Sequence, residues 1–332
     1  MITLLLYILL LCAAWGVGAV LARRGPMLLF VRPALGAATM GTAALIFAGL
    51  GVFPAEAVAA ALMVLVPTGL YYLWKDRRLF SLRWFDHRDY AEWFGLAGLL
   101  AASALLFFGA WSPVPRIDTY MYHLTVPKQW LLHGRVPGTP YEMHSNLHLL
   151  TEAWNYWGLA LHREEYILHK LWTVTAAVGT GLVMLWELRR RGYRLAGWVA
   201  AALWLLLQET VEFGKTGYVD LTGAFYLLLA VLLLARSFES ETPRREVALA
   251  GLLAGASAAI KTSALVYLAI MGAAFLGVHF WKLVRNQDGL RPREILRRAA
   301  IFALASLVFV TPWIAKNITV TGSPSYPFLP DV

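Results

Sequence analysis

The sequence predicts an all-α fold: a polytopic bundle of about ten membrane-spanning helices with a long outer loop that carries interfacial helices. Three observations predict it. The 332 residues are 59% hydrophobic and 15% charged, with a mean hydropathy of +0.59, whereas soluble domains carry about 25% charged residues. Apolar runs near the roughly 20 residues needed to cross a bilayer recur along most of the chain. Nowhere does the alternating pattern of a membrane β-barrel appear.

The expected spans are 2–22, 34–53, 55–74, 91–110, 165–187, 195–209, 218–235, 247–262, 264–281 and 299–316. The sixth is short enough to be re-entrant. The first has no positive residue before it and Arg23-Arg24 after it, the reverse of a cleaved signal peptide. It reads as a retained helix with its N-terminus outside. No repeat, low-complexity tract or soluble domain is visible.

Charge sets the expected orientation. With the N-terminus outside, the inner loops are 23–33, 75–90, 188–194, 236–246 and 282–298, and they hold 21 of the 29 lysines and arginines. The positive-inside rule strongly disfavours the opposite threading. The net charge of +9 thus follows from topology, and no nucleic-acid partner is implied. Cys12, the one cysteine, permits no disulfide within the chain.

The outer loop, 111–164, is the polar exception. The pattern of Tyr120, Leu124, Trp130 and Leu131 predicts a short helix over 119–132 at the membrane surface, bent by Pro127. A second amphipathic stretch, 147–161, is rich in Trp and Tyr, which favour the headgroup level. Gly134 and Pro137-Gly138 mark the turns between them.

Asp118 is the leading candidate for chemistry. A carboxylate at a membrane surface can take a proton from a hydroxyl or amine nucleophile; it can equally cap the helix that follows. Arg116, His123, Lys128 and His133 can hold a phosphate head group or meet anionic lipid. His144 and His148, four apart, would share a helix face and a zinc ion, but the glutamate of a zinc-protease motif is missing. No metal ligand set is assigned, and a divalent ion is left open. Glu209, Glu212, Lys215 and Asp220 cluster at a span boundary, where ionisable groups are costly. Lys170, Lys261 and Lys316 lie at outer ends, against the positive-inside trend, and each can snorkel or reach a phosphate.

The run Asp118-x-x-x-Tyr122-His123-Leu124-x-x-Pro127-Lys128-x-Trp130-x-x-x-Gly134 resembles a signature of bacterial GT-C-type glycosyltransferases. These are the multi-span enzymes related to aminoarabinose transferases and protein mannosyltransferases. Tyr218-Val219-Asp220-Leu221, Lys261-Thr262 and the stretch from Thr311-Pro312-Trp313 to Tyr326-Pro327 match in the same order, so the resemblance covers about 111–327. It implies a GT-C-like fold in the bacterial inner membrane with an extracytoplasmic site. It also implies a sugar donor on a polyprenyl phosphate and a glycan, lipid or protein acceptor. Asp118 matches the loop acid, as general base. Lys128 and Lys261 match basic positions for the donor phosphate, and Arg116 is a further candidate to hold it; Tyr122, His123, Asp220, Lys215 and Lys316 are further pocket candidates. Some relatives have one span where this chain has three before the loop-bearing helix, so the resemblance implies a three-span accessory unit, 1–90, ahead of a GT-C-like catalytic module, 91–332. Relatives also run on into more spans and often an outer domain, so it implies that this C-terminal remainder is absent. The alternative is a non-catalytic GT-C-like subunit that binds lipid or joins a larger membrane complex. A transporter is disfavoured, because the charges gather at one surface and no paired broken helices are evident.

Overall fold

A computed structural model describes residues 2–25, 27–80, 85–113, 117–137, 143–162, 166–285, 291–324 and 326. Among the described residues all regular structure is helical: α1 (Ile2–Leu21), α2 (Leu28–Gly49), α3 (Ala55–Lys75), α4 (Tyr90–Ala110), α5 (Thr125–His133), α6 (Leu150–Leu161), α7 (Ile167–Arg190), α8 (Arg194–Leu206), α9 (Gln208–Thr216), α10 (Asp220–Arg236), α11 (Pro243–Ile260), α12 (Ala264–Val284) and α13 (Pro292–Thr321). The protein is a helical, multi-pass membrane protein by the length and apolarity of these helices.

Among the described residues fewer than ten helices meet that standard. Seven are long and apolar enough to cross a bilayer (α1 to α4, α7, α12 and α13), or eight if α9 and α10, bent by 118° at a short break, form one span. The remainder fall short for identifiable reasons. α8 has 13 residues and rises about 20 Å, against a hydrocarbon core of roughly 30 Å. α11 begins Pro-Arg-Arg-Glu, and nearly all of its residues from Val247 to Ile260 are buried by neighbouring helices.

Glycine brings the first three helices together. A Cβ at Gly36 of α2 would lie 1.7 Å from the Ala14 carbonyl oxygen of α1, and one at Gly69 of α3 would lie 1.8 Å from that of Cys12. Backbones touch where side chains would hold them apart. Lipid tails are as apolar as leucine, so close van der Waals contact has to supply the association that water supplies elsewhere.

The second amphipathic stretch does not lie on the protein's surface. It forms α6, whose residues from Leu150 to Ala160 are all buried. α6 lies against α2, and two of its polar tips meet carbonyls of α2 and of the turn that follows it: Trp157 Nε1 donates to Met40 and Tyr156 Oη to Phe53, each at 2.8 Å. Those bonds remove the reason for a Trp or Tyr to seek the interface.

One end of the bundle is tied by ion pairs between successive basic segments. Arg32 pairs with Asp76, Arg189 with Glu92 at 2.6 Å, Arg236 with Glu187 at 2.7 Å, and Arg244 with Glu294 at 2.7 Å. These contacts join the predicted inner loops 23–33 to 75–90 and 236–246 to 282–298 directly, and tie in 188–194 through Glu92 and Glu187, which sit just outside the loop bounds. The site described below is built at the opposite ends of the same helices.

Candidate functional site

After α4 the chain re-enters as a wide π-turn, Thr119–Leu124, that runs into α5. Pro127 explains the widening. It has no N–H to give to the carbonyl of His123, four residues back, and its ring would clash there in a regular helix. Hydrogen bonding from i to i+5 relieves both problems. Thr119 Oγ1 donates to the Thr216 carbonyl at 2.9 Å and fastens the turn to the end of α9. Asp118 makes no side-chain capping bond, so the capping role is not the one it fills.

Asp118, Tyr122 and His123 thereby face a cavity of about 410 Å³. Three other segments complete it. α6 supplies Glu152. The corner between α9 and α10, turned by Gly217 at φ 79°, supplies Tyr218 and Asp220. The break between α11 and α12 supplies Lys261, Thr262 and Ser263.

The carboxylates are held in three different ways. Glu152, fully buried, hydrogen-bonds through Oε1 to His123 Nδ1. Asp220 pairs with Lys261 at 2.6 Å, both partly exposed. Asp118 accepts the Tyr218 hydroxyl at 3.1 Å and has no cationic partner among the described residues. It is therefore the lining carboxylate whose charge no cationic side chain among the described residues offsets.

Aromatic groups hold these residues in place. His123 stacks on His169 at 5.7 Å, and His169 Nε2 donates to the Gly217 carbonyl at 2.7 Å. Tyr122 stacks on His144 at 4.8 Å. Its hydroxyl is pushed well above the usual phenol range, first by burial and then by the charges of Glu152, Asp118, Tyr218 and Asp220. It stays protonated and can donate.

Of the residues singled out from sequence, Asp118, Tyr122, His123, Asp220 and Lys261 line this cavity, and His148 does also. Others do not. Lys316 is buried and donates to the Ser145 carbonyl at 2.5 Å and Asn146 Oδ1 at 3.1 Å; it props the loop from behind. Lys170 does the same for the Ser112 carbonyl at 2.5 Å. Lys215 lies 3.9 Å from Glu212 on the side of α9, Glu209 is exposed there, and none of the three reaches the cavity. Lys128 is half-buried on α5, away from the lining, and His133 is exposed at its end. Arg116 and Gly138 lie outside the described residues.

The histidine pair separates. His144 leaves for Tyr122, whereas His148 Nδ1 donates to the Ala258 carbonyl at 2.7 Å. The short helix over Met143–Asn146 ends between them, so they share no face. Among the described residues no three His, Cys, Asp or Glu side chains gather as a metal would require.

Two lining residues escaped the sequence reading. Tyr218 was visible within its motif but had no role. Glu152 sat in a stretch read as interfacial; its one signal was an acid within the apolar run Leu149-Leu150-Thr151-Glu152-Ala153-Trp154. The chain matches no protein-family model, no curated protein and no solved structure.

Proposed function

We propose that the protein is a membrane glycosyltransferase that moves a sugar from a polyprenyl-phosphate carrier to an acceptor on the extracytoplasmic side of the bacterial inner membrane. One observation carries this reading. Asp118, Tyr122, His123, Asp220 and Lys261, spread over more than 140 residues of chain, line one cavity. It lies at the end opposite the basic, ion-paired loops, which the positive-inside rule assigns to the cytoplasm.

In this scheme the Asp118 carboxylate takes the proton of the acceptor hydroxyl or amine. The acceptor atom bonds to the anomeric carbon as the bond from that carbon to the carrier phosphate oxygen breaks. The phosphate departs with the electron pair and the anomeric configuration inverts. Lys261 holds the departing charge, helped by the N-terminus of α12. The amides of Thr262 and Ser263 there make no backbone hydrogen bond among the described residues. Asp220 orients Lys261 and would release it, in part, to the phosphate. Tyr122 donates to a donor or acceptor oxygen.

The test is transfer of labelled sugar from polyprenyl-phosphate donors in membranes. Asp118→Asn is expected to lower the rate by about 10²- to 10⁴-fold with the protein still folded. Equal transfer by wild type and variant removes Asp118 from the base role. A folded wild type inert toward every donor points to a non-catalytic lipid-binding subunit.

A further inference from the structure

A second hollow, unrelated to the site above, lies lower in the bundle. α3 packs on α1 and α6, whereas α4 packs on α7, α8 and α9. Consecutive helices α3 and α4 thus part, and a cleft of about 830 Å³ opens between them. Its walls include Trp15 of α1, Leu73 of α3, Phe107 and Phe108 of α4, and Trp172 of α7, with few polar groups. Water has no partners there, and in a bilayer such a cleft fills with hydrocarbon.

The cleft has a charged end. Leu29, Phe30 and Leu182 line both it and an adjoining hollow of about 420 Å³, whose far wall carries Arg189, Arg190 and Arg194. Around that wall Arg189 is matched by Glu92, Glu187 serves Arg190, Arg191 and Arg236, and Glu239 lies near enough to Arg190 to act on it electrostatically. Arg194 is exposed and has no acidic partner among the described residues. Five arginines against three glutamates leave a surplus of two positive charges. From Arg190 back to Gly179, α7 rises about 16 Å, close to the depth of one leaflet of a roughly 30 Å hydrocarbon core.

We infer that this cleft binds one anionic glycerophospholipid, with its acyl chains between α3 and α4 and its phosphate head on Arg190 and Arg194. A lipid merely coating the protein touches one convex surface. Here α1, α4 and α7 wall the chains on several sides, and the arginine surplus selects the sign of the head group. Each basic side chain near a charged head contributes about a fivefold preference.

The experiment is native mass spectrometry of the detergent-purified full chain, titrated separately with phosphatidylglycerol and phosphatidylcholine of equal chain length. Wild type is expected to retain one phosphatidylglycerol at least about fivefold more tightly than phosphatidylcholine. Arg194→Gln, which breaks no ion pair among the described residues, is expected to erase most of that preference. Ala104→Trp, on the open face of α4 in the cleft, is expected to lower retention of both lipids. Unfolding temperatures of both variants check that the fold is kept. Equal retention of the two lipids by wild type, an unchanged preference in Arg194→Gln, or full retention in Ala104→Trp overturns the inference. Displacement of phosphatidylglycerol one for one by a polyprenyl phosphate assigns the cleft to that lipid and overturns it too.

Discussion

His123 and Glu152 face each other through a hydrogen bond between Nδ1 and Oε1, with both side chains buried against the cavity wall. The bond joins the π-turn to α6 and sets which edge of the imidazole meets the cavity. Glu152 Oε2 has no partner among the described residues, so the pair is satisfied on one side only. Replacing Glu152 by Leu leaves a buried imidazole nitrogen unpaired and is expected to cost about 1–3 kcal/mol of stability. Glu152→Gln keeps an acceptor and is expected to cost less than half of that. Unfolding in detergent compares them; equal losses would mean that packing, not the hydrogen bond, fixes His123.

At the other end, Arg189 Nη1 lies 2.6 Å from both carboxylate oxygens of Glu92, which also accepts Trp198 Nε1 at 3.1 Å. Glu92 is 1% exposed. Arg189→Ala strands that carboxylate and is expected to cost about 3–5 kcal/mol. Glu92→Leu combined with Arg189→Leu removes both charges and is expected to recover most of the loss. A double-mutant cycle by unfolding measures the coupling; an additive result refutes it.

Two glycine replacements are expected to differ in sign. Gly36→Ala forces α1 and α2 apart, because the new methyl would sit 1.7 Å from a carbonyl oxygen, and is expected to cost at least about 2 kcal/mol. Gly98 in α4 has open space around its Cβ position, so Gly98→Ala is expected to gain about 0.5–1 kcal/mol from helix propensity. Unfolding of the two single variants beside wild type checks this.

His148 makes stability depend on pH. Burial holds its pKa below the usual 6.5, with Lys316 adding repulsion and the Ala258 carbonyl acting against both. A base whose folded pKa is depressed is neutral in both states above about pH 6.5. As pH falls through that value the unfolded chain takes up a proton that the folded protein resists, and stability drops. His148→Gln is expected to flatten this part of the profile. An unchanged slope between pH 7 and 5 would exclude His148 as its source.

Legibility in the sequence divides by how far a residue's role depends on its partners. Asp118 and Asp220 stood out because carboxylates are costly at a membrane boundary, and Lys261 because it broke the charge trend. Each kept that prominence as part of the cavity lining. Lys170 and Lys316 broke the same trend, yet both turn inward to the carbonyls of Ser112 and Ser145. No local pattern separates a lysine that meets a ligand from one that props a loop. Glu152 was hidden for the converse reason: flanking Trp and Tyr mimic an interfacial helix until α2 and the turn after it supply the Met40 and Phe53 carbonyls that receive Trp157 and Tyr156.

Hydropathy and charge, properties of each segment taken alone, determined the helical class, the membrane and the segments that share an end. They could not decide the span count, because α8 is cut short and α11 is enclosed by its neighbours. Nor could they decide that four separate segments close one cavity, or that α3 and α4 part. Those outcomes depend on which backbones approach closely, and that is set by contacts such as Gly36 on Ala14, between helices whose individual sequences carry no record of the partner.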